Sequence, residues 1–145
     1  MILSAQQLLS NDQAITATAL STNVIDLGVP GTPHGAVAPL NMDIGKGNPV
    51  PVLIQVTEDF ATLTSLTVTL EVSANEDMSS SKVVNTQTIL AADLVAGKQT
   101  FMQCLPNGVD DQYLAVRYTV AGSNATAGKI MAGISMGNQT NITGA

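Results

Sequence analysis

The chain has 145 residues, five lysines and arginines against eleven aspartates and glutamates, and a net charge of −6 with a pI of about 4.3. Hydrophobic residues make up 45%, charged residues only 11% and aromatics 3%, where typical soluble domains carry about 25% charge. This composition argues against a disordered chain and against nucleic acid as a partner, since the five cations are scattered and phosphate contacts need clusters; with Cys104 the only cysteine, no intrachain disulfide is possible.

No run reaches the ~18 apolar residues of a membrane span, so no membrane partner is expected. The start, Met1-Ile2-Leu3-Ser4, lacks a basic region and a long apolar segment, and no secretory signal is expected. The length suits one domain over residues 1–145, with a short N-terminal arm. A surface made mostly of uncharged Thr, Ser, Asn and Gln suits a protein that spends its life against neighbours, because soluble monomers usually hold mixed charge outside.

In chain order, Ala5–Leu9 gives a short helical hint, and Ala14–Ala19 and Asn23–Leu27 are weak strand candidates. Residues 29–48 then read VPGTPHGAVAPLNMDIGKGN, a Pro/Gly-rich loop without alternation. Loops longer than about 12–15 residues are uncommon in compact domains and are usually functional or disordered. Val52, Ile54 and Val56 resume a period-two pattern. The clearest strand follows: Leu66, Val68, Leu70 and Val72 point to one face, and Thr67, Thr69, Glu71 and Ser73 to the other. Asn75-Glu76-Asp77 with Ser79–Ser81 predicts a turn before a strand over Lys82–Leu90. Ala91–Ala96 is a second helical hint, Lys98–Leu105 a strand and Pro106-Asn107-Gly108 a turn. Leu114, Val116, Tyr118 and Val120 alternate next, Gly122-Ser123-Asn124 suggests a hairpin connection, and Ile130, Ala132, Ile134 and Met136 line the last strand. About eight short antiparallel strands at this spacing predict an all-β sandwich or barrel.

Residues able to carry chemistry are few. His34 lies in the Pro/Gly-rich loop, and Cys104 lies in an apolar strand where a lone thiol behaves as a small hydrophobe. With one His and one Cys, a tetrahedral zinc site cannot be built and no activated nucleophile is evident. Glu58-Asp59, Glu76-Asp77 and Asp110-Asp111 read as solvated turn charge, with Asp110-Asp111 the one pair to test for calcium. Gly45-Lys46-Gly47 fails as a phosphate loop, because Leu40 and Gly47 stand where that motif needs Gly and Ser or Thr. No cofactor and no enzymatic activity are expected.

Five segments in order, Ser21–Gly28 (STNVIDLG), Asp43–Val56 (DIGKGNPVPVLIQV), Ile89–Phe101 (ILAADLVAGKQTF), Leu105–Val120 (LPNGVDDQYLAVRYTV) and Ala125–Ile134 (ATAGKIMAGI), resemble the capsid cement, or decoration, proteins of tailed bacteriophages of the Bordetella-phage type. The resemblance covers most of the chain. It implies a jelly-roll β-sandwich on the outer capsid surface of the virion that bridges subunits of the major capsid protein, self-associates and carries no catalytic residues. A dimer is favoured over a trimer, twofold closure being the commonest. The apolar residues of the long loop, Val37, Leu40, Met42 and Ile44, are the candidate capsid contacts. The alternative is a carbohydrate-binding β-sandwich for host adhesion, for which Phe60, Phe101, Tyr113 and Tyr118 are the available aromatics.

Overall fold

The computed structural model describes residues 3–41, 43–102 and 105–137. Among them lie strands β1 (Leu3–Ala14), β2 (Ala19–Leu20), β3 (Ile25–Asp26), β4 (Val52–Ser73), β5 (Lys82–Leu90), β6 (Gln99–Met102) and β7 (Tyr113–Ser135), with a single 3-10 turn at Ala91–Asp93. All pairing is antiparallel and runs through one sheet in the order β1-β7-β4-β5, with β2 and β3 also on β7 and β6 on β4. The protein is all-β, as the alternation predicts.

Two strands dominate. β4 has 22 residues and β7 has 23, and they pair from Val52↔Ile134 to Ser73↔Tyr113. Drawn straight, such a ribbon would extend roughly 70 Å at about 3.3 Å per residue. It does not stay straight. Ser10 sits opposite Ala132 near one end of β7, yet its hydroxyl lies 2.8 Å from that of Tyr118, which pairs with Val68 in the other half. The Gln13 amide donates to the Leu20 carbonyl at 2.8 Å and the Asn23 N–H to that of Leu9 at 2.9 Å. These contacts require the ribbon to double back, so that its half with β1 and β6 packs on its half with β2, β3 and β5. The result is a sandwich-like arrangement built from one bent sheet.

The bend has identifiable causes. All register shifts between β4 and β7 fall between Val56 and Ser65, and bulges bend and twist a strand. Thr62 adopts φ +75 there, and its hydroxyl donates to the Asn124 carbonyl at 2.7 Å and accepts from the Thr126 N–H at 3.2 Å. Opposite, Gly128 has φ +136, and a Cβ at that position would overlap the Phe60 ring. Only glycine satisfies both demands.

One core cluster fills the space between the halves. It joins Leu9 and Ile15 to Val52, Ile54 and Val56, to Leu66, Val68, Leu70 and Val72, and to Leu114, Val116, Tyr118, Ile130 and Ala132. The predicted faces of these strands are the buried ones, except at Met136, which lies beyond the end of β7 and is exposed.

Several local expectations are corrected. Ala5–Leu9 is strand within β1, because pairing with β7 outweighs a weak helical preference. Ala14–Ala19 is not one strand: the chain turns at Thr16–Thr18 after the buried Ile15. Gly122-Ser123-Asn124 is no hairpin; it is a bulged corner inside β7, and pairing with β4 continues on both sides. Glu58-Asp59 lies within β4 rather than at a turn. Glu71 and Ser73 are buried, so that face of β4 is solvated only in part.

Leu70→Ala should cost about 2–5 kcal/mol in a denaturant melt, as for a fully buried leucine. Gly128→Ala should cost at least about 1–3 kcal/mol, because the methyl meets the Phe60 ring at an unfavourable φ. A Gly128→Ala protein as stable as the parent would contradict the corner described here.

Candidate contact surface

The long loop is a closed excursion on a fixed base. Its neck is shut where the Leu40 N–H donates to the Gly31 carbonyl at 3.0 Å, and an inner turn forms where the Ala36 N–H meets the Pro33 carbonyl at 3.0 Å. At the base, the Asp43 carboxylate accepts from the Gly45 N–H at 3.1 Å and from the Gly108 N–H at 3.1 and 3.2 Å. The Ile44 N–H donates to the Val109 carbonyl at 3.3 Å, and the Gly45 backbone runs so close to Pro106 that any Cβ would overlap it.

This framework divides the candidate contact residues. Val37 is fully exposed, Leu40 is 57% exposed, and Val29 joins them at 75%. Ile44 is half-buried and packs against the core, where it anchors the base. Met42 lies outside the described residues, as does Cys104. Three apolar side chains are thus held in solvent on a loop stiffened by Pro30, Pro33 and Pro39. Sequence reasoning missed Asp43 as the anchor; the Asp-x-Gly spacing at residues 43–45, a signature of an Asx turn, carried that signal. His34 is exposed in the inner turn.

The electrostatics are one-sided. All five cations form ion pairs: Lys46 with Asp43 at 4.0 Å, Lys82 with Asp111 at 3.0 Å, Lys98 with Asp93 at 3.0 Å, Arg117 with Glu71 at 2.8 Å and Lys129 with Glu58 at 2.6 Å. Five of the eleven carboxylates take these cations, which leaves Asp12, Asp26, Asp59, Glu76, Asp77 and Asp110 as the surplus. The cations a partner meets are single, scattered and set beside a carboxylate, and the surplus charge is negative, a poor surface for phosphate.

The Glu71–Arg117 pair is the deepest. Arg117 grips both carboxylate oxygens, Nε to Oε1 at 2.8 Å and Nη2 to Oε2 at 3.0 Å, while Ser81 and Thr69 donate at 2.7 and 3.1 Å. Burial pushes the Glu71 carboxyl up, but the hydrogen bonds from Arg117 and Ser81, the Arg117 charge and the Thr69 hydrogen bond outweigh it and hold it below its ordinary value. The Tyr118 hydroxyl titrates far above its usual range because it is buried, an effect only partly offset by the Ser10 hydrogen bond.

The other acidic pairs do not converge. Lys82 occupies the Asp111 carboxylate and Lys129 that of Glu58. Glu76 and Asp77 sit in the connection between β4 and β5, where Ser79 hydrogen bonds hold Asp77 below the usual carboxylate range. They line, with Asn75, Ser79 and Tyr113, a shallow cavity of about 730 Å³. Among the described residues, no three His, Cys, Asp or Glu side chains are placed to hold a metal ion, and no helix is long and apolar enough to cross a membrane.

Residues 9–134 match the Bbp16 family, so the chain belongs to that family. No curated protein matches the chain.

Arg117→Met should destabilise by about 1.5–3 kcal/mol near neutral pH, the range for hydrogen bonds to a charged group. The loss stays below that of a fully buried pair because the Arg117 side chain is 36% exposed. Glu71 in the parent has a depressed pKa, so its contribution is present above the ordinary carboxylate range and is lost as pH falls through the folded value. In the variant burial is opposed only by the Ser81 and Thr69 hydrogen bonds, and Glu71 ionises less readily than in the parent. The gap between the two proteins in denaturant melts should therefore narrow as pH falls through the carboxylate range. A constant gap would show that Arg117 acts through packing alone.

Proposed function

We propose that this member of the Bbp16 family is a capsid cement protein, which binds the outer face of a tailed-phage shell, contacts the major capsid protein across subunit joints and self-associates there. The observation that carries this reading is the long loop: Val29, Val37 and Leu40 are each exposed on a segment whose neck and base are hydrogen-bonded shut. Apolar side chains held in solvent by a restrained backbone lose little conformational freedom on docking, and prolines restrict the unbound chain further.

The remaining features support the same role. The family name and the segment resemblance both lead to Bordetella phage, and a surface with few, scattered cations and a net charge of −6 is unsuited to the DNA-facing side of a shell. The mechanism asked of such a protein is mechanical. It adds contact area across joints, so that parting them under internal pressure costs more, and many weak attachments to one shell multiply their affinities.

A second reading draws on Tyr113. This ring lines the 730 Å³ cavity beside Asn75, Glu76 and Asp77, an aromatic next to amide and carboxylate groups such as a neutral saccharide needs. A glycan array separates the two, since the cement reading predicts no saturable binding.

The double variant Val37→Ser/Leu40→Ser should melt within about 0.5 kcal/mol of the parent, as exposed substitutions do, and should lose at least tenfold in affinity for purified shells in a pelleting assay. Full pelleting by a normally folded double variant would place the contact elsewhere. Early melting would make the loop part of the core.

A further inference from the structure

Beside the short outer strands β2, β3 and β6, the sheet has two longer edge strands, β1 and β5, and they differ in kind. β1 is irregular, with three register shifts against β7 and Asp12 at φ +48, devices that blunt an edge. β5 is nine residues, KVVNTQTIL, with one charge at its start and no Pro or Gly. It pairs with β4 from Leu90↔Ser65 to Lys82↔Val72, and among the described residues nothing pairs with its other side.

The groups on that open side can be identified. The Thr86 N–H bonds the Asn85 side chain at 2.8 Å rather than β4, so it faces outward. In an antiparallel ladder every second residue faces the same way, which adds Thr88 and Leu90. The register shift between Leu70↔Asn85 and Glu71↔Val83 makes Val84 the extra residue and returns Val83 to the outward phase. The open edge is thus Val83, Thr86, Thr88 and Leu90: uncharged, β-prone, and apolar at both ends. Val83 is 57% exposed and Leu90 is 61% exposed.

We infer that the β5 edge pairs with the β5 edge of a second copy, antiparallel about a twofold axis, to form one continuous sheet across a dimer. A copy of the same strand fits because the edge is self-complementary. With Thr86 opposite the Thr88 of the other copy, Leu90 meets Val83 at each end, so both exposed apolar residues are covered twice by one symmetry operation. The two Lys82 side chains lie at opposite ends of the new ladder, roughly 25 Å apart at about 3.3 Å per residue, and do not repel. The Asn85 side chain that covers the Thr86 N–H is displaced by the incoming carbonyl. This pairing deepens the self-association in the proposed cement reading, but it rests on the edge alone.

Sedimentation equilibrium of the free protein at micromolar concentration tests it. The parent should be a dimer. Thr86→Pro removes an outward N–H that β4 does not use, and prolines are tolerated at such edge positions; Leu90→Lys places a charge against Val83. Each should raise the dissociation constant at least tenfold while the monomer keeps its melting transition. If Thr86→Pro melts early, Leu90→Lys decides alone. A parent that is monomeric throughout, or a folded Leu90→Lys protein that dimerises like the parent, overturns the inference. Pelleting the same proteins with shells keeps the readings apart: a monomer that still pellets sinks the β5 pairing and leaves the cement reading standing, and a β5 dimer that ignores shells does the reverse.

Discussion

Everything in this protein depends on the corner at which the β4/β7 ribbon folds back on itself. Without it the apolar faces of β4 and β7 would lie along a strip roughly 70 Å long with nothing to cover them. With it, Val52, Ile54 and Val56 share one core with Leu66, Val68, Leu70 and Val72. Burying those faces is the main favourable term, and the corner is what lets one sheet supply both layers. It is made by the Thr62 hydroxyl reaching Asn124 and Thr126 and by a Gly128 that no other residue can replace beside Phe60. The Ser10–Tyr118 hydrogen bond then ties the two layers inside the core.

The same economy shapes the surface. With only five scattered cations, each set against a carboxylate, no cluster of positive charge is left to recruit a phosphate. Arg117 and Glu71 are retained where Thr69 and Ser81 complete the carboxylate's hydrogen bonds, which makes a buried charge tolerable. What remains outside is a Thr-, Asn- and Gln-rich exterior whose exposed apolar residues include Val29, Val37 and Leu40 on the long loop and Val83 and Leu90 on the β5 edge, besides Val95 and Met136. A monomer at low charge would be expected to cover both the loop and the edge. Their coexistence fits a chain with two kinds of neighbour, one across the loop and one across the edge.

Much of the fold was legible because burial on a strand leaves a period of two. Leu66 to Val72 and Leu114 to Val120 were readable for that reason. The corner was not, because Gly122-Ser123-Asn124 has the composition of a hairpin turn and of a bulge alike, and only pairing with Leu63 and Ala61 distinguishes them. The two long strands therefore read as several short ones. Glu71 read as solvated because its partner, Arg117, is 46 positions away. The long loop was evident from its prolines and its lack of alternation. Which of its apolar residues face outward was not, since an irregular segment has no period; the Asp43 anchor turns Ile44 inward and leaves Val37 and Leu40 outside.

The central claim is that this bent sheet is a strap laid across the outside of a shell, with the loop tip against it. Cryo-electron microscopy of shells saturated with the protein tests that most directly. The account predicts sandwich-shaped density on the outer surface, lying over joints between major capsid subunits, with residues 29–40 in contact with the shell. Shells whose outer surface stays bare at saturating protein, or density confined to the inner surface, would contradict it.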